Sequence, residues 1–243
     1  MGPELTTHPL TRADGSATFS NNLFTVLAAV NGPIEVQRRD ELPEEAAVEV
    51  NIRPTSGVGG PRERWLESVI AALLRTLVLV KLHPRTLVQV TLQVTKEPTT
   101  GVRMKRAVKD VAIIPALANA AFLALVDGAV PMGRTMVAGL ACLGKEVDGV
   151  TVDPTEKQVA GCRSVHAMAY SAKGELLLDE SVGRFDAGEW EDVGERLRVA
   201  AIAAVARDPE DESMSNGDAA TTPWLRQAVE EDVKGAGAWR EPG

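Results

Sequence analysis

Five cations in two short stretches are the residues best suited to hold a polyanion. Arg62 and Arg64 follow the Gly60-Pro61 step, and Arg103, Lys105 and Arg106 lie in a polar run, Lys96–Lys109, with a local net charge of +4. Guanidinium and ammonium groups bind phosphate oxygens through charge-assisted hydrogen bonds, which is how a nucleic-acid backbone is gripped. The first pair has a second reading, a solvated helix start with Arg64 facing Glu67 three residues on. Arginine at that end of a helix opposes the dipole, which argues for a purpose beyond helix stability. The second group also reads as a solvated edge. No aromatic residue interleaves with it, so stacking of single-stranded bases has no platform there.

Other chemistries find less support. His8, His83 and His166 share no metal-ligand spacing, and Cys142 and Cys162 are too few for a disulfide framework or a structural zinc site. They read as small buried hydrophobes. No metal and no cofactor is expected. Gly57-Val58-Gly59-Gly60 lacks the Lys and Ser/Thr of a P-loop and reads as a flexible loop. Trp65 and Trp190 fall on helices and are expected to pack, whereas Trp224 and Trp239 lie in a polar tail with no core to enter.

The 243 residues carry 44% apolar and only 4% aromatic side chains, so Ala, Val and Leu must build the core. Net charge is -8, which excludes a protein that coats nucleic acid by bulk charge. Residues 208–243 hold nine acids and three bases, a net of -6, leaving the rest at -2. The long apolar stretches Val69–Leu82 and Val111–Val126 are interrupted by Arg75, Lys81, Pro115 and Asn119, so neither is expected to cross a membrane. No signal peptide is visible, and an intracellular location is expected.

Hydrophobic periodicity supplies the elements. Residues 1–11 form a short leader, 12–207 a single domain, and 208–243 an acidic tail expected to be disordered apart from a short helix near 224–233. Ala17–Phe19 and Leu23–Val30 read as a hairpin, Ile34–Arg38 and Ala47–Arg53 as strands, and Arg62–Leu79 as an amphipathic helix. Thr86–Thr95 alternates as a strand, Lys96–Lys109 reads as loop or strand edge, and Ile113–Val126 as an apolar helix. Met132–Leu143 is a strand, Asp153-Pro154-Thr155 a turn, and Val165–Ser171 with Glu175–Asp179 a hairpin. The last helix spans 188–206, capped by Asp186 with Glu189 three residues later. Frequent hairpins exclude an all-parallel doubly wound sheet. The expectation is an α/β fold with mixed sheets packed against helices.

Five stretches, in order, resemble the RNase PH family: Arg12-Ala13-Asp14-Gly15-Ser16-Ala17 with Val26–Pro33, Gly60-Pro61-Arg62-Glu63-Arg64, His83-Pro84-Arg85-Thr86, and Asn119–Asp127. Together they span residues 10–206. Leu125–Met132 is most similar to the small RNase PH-like ring subunits of the eukaryotic RNA exosome. The resemblance implies a single RNase PH-like domain and phosphorolytic 3′→5′ exoribonuclease chemistry. That chemistry needs an Arg and helix N-terminal amides for the phosphate, and a carboxylate pair for metal or proton transfer. The positions to which the resemblance assigns the phosphate-binding Gly-Thr-Arg hold Ala112, Ile113 and Ile114, followed by Pro115. Those for the acidic pair lie close to Val159 and Val165, and no acid occurs between Lys157 and Lys173. Asp153 and Glu156, upstream, are the nearest carboxylates.

The resemblance therefore implies a catalytically inactive ring subunit that helps form an RNA-threading channel in RNA processing and degradation. Implied partners are other RNase PH-like subunits in a hetero-hexameric ring, cap subunits, an associated nuclease and single-stranded RNA, with no membrane. The implied location is nucleus, nucleolus and cytoplasm. The alternative is a nuclease independent of the lost site, or one lending residues such as Arg62 or Arg64 to a neighbour's site. A free homo-oligomeric nucleic-acid-binding protein is a third class.

Overall fold

The computed structural model describes residues 3–98, 104–144, 149–205 and 223–237. The first five strands form one sheet: β1 (Glu4–Thr7), β2 (Gly15–Ser20), β3 (Thr25–Glu35), β4 (Ala47–Arg53) and β5 (Thr86–Lys96), in the order β1-β2-β3-β5-β4. All its pairings are antiparallel except β4 with β5. That parallel pair requires a crossover, which α1 (Pro61–Leu77) supplies while packing its Leu66, Ile70, Leu73, Leu74 and Leu77 face into the core. The second sheet contains β6 (Met136–Leu143), β7 (Val150–Val152), β8 (Ser164–Ser171) and β9 (Leu176–Gly183), ordered β7-β6-β8-β9 and wholly antiparallel.

Between the sheets runs α3 (Ile114–Asp127), in contact with β2 and β3 on one side and β6 on the other. Twelve consecutive residues, Ile114–Leu125, are buried, because this helix has protein on every side. With the preceding α2 (Arg106–Ala112) it is apolar enough to cross a membrane, yet most of that stretch lies inside the protein. Short side chains let the backbones approach closely. A Cβ on Gly15 would sit 2.3 Å from the Ala124 carbonyl oxygen, so only glycine fits where β2 touches the end of α3. Beside it, Asp127 Oδ2 accepts the Ser16 N–H at 2.6 Å, and Asp14 Oδ2 accepts the Gly32 N–H at 2.8 Å.

Asn119 is a polar residue buried in the middle of α3. Its Oδ1 accepts the Ala138 N–H at 2.9 Å and its Nδ2 donates to the Ala138 carbonyl at 2.8 Å. The β7 strand pairs only with residues 141–143 of β6, so Asn119 stands in for a neighbouring strand further along that edge.

The expected α/β fold of sheets packed against helices is what the chain forms, with only the first sheet mixed, and several boundaries move. The leader contributes β1, an edge strand paired to β2. Residues 106–109, expected as loop or strand edge, open the helix α2, and β6 begins at Met136 rather than Met132. The Asp153–Thr155 turn leads into a short helix, α4 (Glu156–Gly161), whose Thr155 N–H donates to Gln158 Oε1 at 2.7 Å. In α5 (Ala187–Val205) the anticipated reciprocal cap is present: Asp186 N–H to Glu189 Oε2 at 3.0 Å and Glu189 N–H to Asp186 Oδ1 at 2.8 Å.

The helix expected near 224–233 is present and docked. Residues 224–237 form α6 (Trp224–Gly237), which packs on α5 and β1. The Trp224 ring lies 5.7 Å from Phe19, and Leu225 is buried. Trp224 therefore does have a core to enter: an apolar seam left between the edge strand and the last domain helix.

Candidate functional site

The start of α1 is set by Pro61, whose missing N–H costs nothing at the first helical position, and by a backbone cap in which Gly60 N–H donates to Glu63 Oε2 at 2.7 Å. This fixes where Arg62 and Arg64 point, and they point differently. Arg62 turns inward. Its Nε pairs with Asp110 of α2, and its Nη1 lies 3.6 Å from Glu63 and 3.7 Å from Glu97, which in turn pairs with Lys109. The side chains of Arg62, Glu97 and Asp110 are 15%, 14% and 20% exposed, so the network is largely withdrawn from water. Its Nη2 atom is buried and unpaired among the described residues.

The Arg64 side chain is exposed, with no hydrogen bond or ion pair among the described residues. The pairing with Glu67 does not form, because Glu67 Oε1 accepts the Ile52 N–H at 2.8 Å. Lys105 and Arg106 are exposed at the start of α2, and Arg103 lies outside the described residues. Asp110 is about one helical turn beyond Arg106. The Arg62–Asp110 pair therefore draws together the two elements that carry the cationic groups. Sequence spacing carries no sign of this link, since its partners are 48 residues apart. Trp65, expected to pack, is 38% exposed beside Arg64.

The positions assigned to the anion site by family resemblance are apolar in their surroundings as well as in type. Ala112, Ile113 and Ile114 are all buried. Ile113 has helical dihedrals (φ -81°, ψ -23°) and serves as both the last cap of α2 and the first of α3. The two helices therefore run together, and the preceding turn occupies the dipole-positive end where an anion would rest. Pro115 removes one more donor. Val159, on α4, and Val165, on β8, are also buried. Asp153 adopts φ 50°, gives its N–H to the Leu140 carbonyl at 2.9 Å and accepts Asn22 Nδ2 on its own carbonyl at 3.0 Å, a turn residue as the sequence suggested.

The histidines are dispersed. His8 Nδ1 lies 3.3 Å from Asp127 Oδ2, and the His83 carbonyl accepts the Thr86 hydroxyl at 2.6 Å. His166 is fully buried between Ser164 and Ser181, each 2.9 Å from one ring nitrogen, and Ser181 donates to Asp179 Oδ1 at 2.8 Å. Burial pushes its pKa below the ordinary histidine value, against the opposing pull of Asp179 and Glu189. Among the described residues, no group of three or more His, Cys, Asp or Glu could hold a metal ion.

A protein-family model described as "3' exoribonuclease family, domain 1" (RNase PH) matches residues 3–131. The chain belongs to the RNase PH family. That match spans the five-stranded sheet and α1 to α3 of the RNase PH fold. The chain is 33% identical over 179 residues to "Exosome complex component RRP46" of Saccharomyces cerevisiae, covering 71% of this chain and 78% of that protein. It is 31% identical over 182 residues to "Exosome complex component rrp46" of Schizosaccharomyces pombe, covering 72% and 73%. The crystal structure of rice (Oryza sativa) Rrp46 superposes with a TM-score of 0.69 at 27% identity, covering 80% of this chain and 86% of that one. The Archaeoglobus fulgidus exosome with RNA bound to the active site shares the fold, with a TM-score of 0.65 at 15% identity. The RNase PH resemblance read from the sequence thus stands. Several residues that carried it, Asp14, Gly15, Ser16, Asn119 and Asp127, do structural work around α3.

Proposed function

We propose that this protein is a catalytically inactive ring subunit of the RNA exosome core. It supports 3′→5′ RNA processing and degradation by helping to form the channel that threads single-stranded RNA to an associated nuclease. The observation that carries the reading is Ile114, a buried side chain at the start of α3 in the place to which the resemblance assigns the phosphate-binding arginine. A phosphate dianion placed there would lose its hydration and gain no partner. Val159 and Val165, both buried, supply neither metal ligand nor proton donor. The relationship to RRP46 proteins supports the place in a ring with other RNase PH-like subunits beneath cap subunits. The corresponding location is nucleus, nucleolus and cytoplasm.

Within such a ring Arg64, Lys105 and Arg106, with Arg103, would meet the RNA backbone, while Arg62 holds α1 against α2. Contact to phosphates alone suits a channel that must pass any sequence. The test combines activity and assembly. Incubated with RNA and inorganic phosphate, the purified chain releases no nucleoside diphosphate, and it enters a hetero-oligomeric ring when mixed with other exosome ring subunits. Phosphate-dependent release of nucleoside diphosphates, or a stable homo-hexamer that excludes those subunits, would overturn the proposal.

A further inference from the structure

Twenty residues separate the only two cysteines, and the fold brings them together. Leu143, next to Cys142 on β6, accepts the N–H of Arg163, next to Cys162 in the approach to β8, at 2.8 Å. That bond sits at the end of the β6–β8 ladder, where Leu143 pairs with Ser164 and Cys142 with Val165, and holds the 162–163 segment beside the end of β6. Cys142 is buried on its strand. Cys162 is part-exposed just beyond α4, and its thiol donates to the Val159 carbonyl at 2.8 Å. The Cys142 thiol is hydrogen-bonded to Cys162. Their burial explains why the sequence reads them as two separate small hydrophobes, and their adjacency changes what they can do.

We propose that Cys142 and Cys162 are a redox-reversible dithiol, closed to a disulfide by peroxide or by a small-molecule disulfide. The part-exposed Cys162 is the sulfur an oxidant reaches first. With peroxide, the Cys162 sulfur attacks an oxygen and becomes a sulfenic acid as one water leaves. The Cys142 sulfur then displaces the hydroxyl from Cys162, and its own thiol proton departs with that hydroxyl as a second water. Each sulfur gives up one electron, and the peroxide takes both. With a small-molecule disulfide, exchange at Cys162 and then at Cys142 releases two small thiols. The hydrogen bond to Cys162, together with burial, holds the Cys142 thiol protonated, above the ordinary cysteine range. Cys142 therefore remains a thiol until Cys162 has reacted. The new bond ties the end of α4 to β6, at the side of the second sheet where β7 pairs. This inference is independent of the proposed place in the exosome.

The test uses the full chain. After treatment with hydrogen peroxide, or separately with oxidised glutathione, the denatured and unreduced protein should lose the mass of two hydrogens. Dithiothreitol should restore that mass. Trypsin should release residues 135–145 linked to residues 158–163 by the disulfide. Cys162→Ser, at the less buried position, should abolish the mass loss. Cys142→Ser should instead stop at a sulfenic acid or a glutathione adduct on Cys162. Oxygen or glutathione added to Cys162 of the unsubstituted chain without linkage to Cys142 would overturn the proposal, as would two thiols that stay alkylatable throughout.

Discussion

Replacing Asn119 with leucine preserves most of the side-chain volume while removing both hydrogen bonds to Ala138. In the native protein these bonds occupy the N–H and the carbonyl of a residue on the edge of β6 that no strand covers. Asn119 is 2% exposed. A buried backbone group left unpaired costs about 1–3 kcal/mol, so two such groups set the loss at about 2–6 kcal/mol. Leucine recovers about 1 kcal/mol through its apolar area, leaving a net loss of about 1–5 kcal/mol. Asn119→Asp keeps the acceptor for the Ala138 N–H and loses the donor, and it adds a carboxylate that must be buried as an anion or protonated. Its loss should grow as pH rises above the carboxylate range. Urea unfolding followed by circular dichroism measures both variants, with unchanged m-values as the check that the same transition is compared. A small cavity bordered by Asn119, Leu140 and Leu197 lies beside this edge. A leucine variant destabilised by less than about 1 kcal/mol would refute the reasoning. Water entering that cavity would then satisfy Ala138 as well as Asn119 does.

Three further expectations follow from the same structure. Leu225→Ala should cost about 2–4 kcal/mol in urea unfolding, because α6 is anchored on the domain through that buried side chain; a cost near zero would mean that α6 does not stay docked. His166 has a pKa lowered by burial, so its unfolded form binds protons more tightly than its folded form. Its stabilisation is therefore complete above the unfolded value, about 6.5, and lost as pH falls below it; His166→Gln should flatten the urea midpoint across pH 7 to 5. Arg64→Glu should change stability by less than about 0.5 kcal/mol yet weaken RNA crosslinking in the assembled ring, whereas Arg62→Ala should cost about 1–4 kcal/mol by stranding Asp110 and leaving Glu97 to Lys109 alone.

Periodicity was enough to find the long elements. The apolar rows of α1 and α3 and the alternation of β5 follow directly from which faces each element buries. Helix α2 escaped because its polar residues satisfy two conditions at once: Asp110 and Lys109 face an ion network while Val111 and Ala112 enter the core. Such a short, mixed segment has no clean period. The fate of Arg62 was equally hidden, since its carboxylate partners come from a strand end and another helix. Arg64 was read correctly as a helix-start cation, but its local partner was not, because backbone pairing with Ile52 claimed Glu67 first. The tail helix is legible in the sequence, but its seat is not: Trp224 and Leu225 pack onto the domain through Phe19, a partner about two hundred residues away.

The seating of α6 on β1 also sets a timetable. Phe19 is made early in synthesis, and Trp224 follows it by about two hundred residues. While the ribosome is still translating the intervening segment, Phe19 and the outer side of β1 lack the helix that later covers them. During that interval the nascent chain displays an uncovered sheet edge beside an aromatic side chain, the kind of surface that chaperones engage and that associates with itself when crowded. A protein whose final form hides that seam must therefore pass through a period of exposure set by the speed of translation.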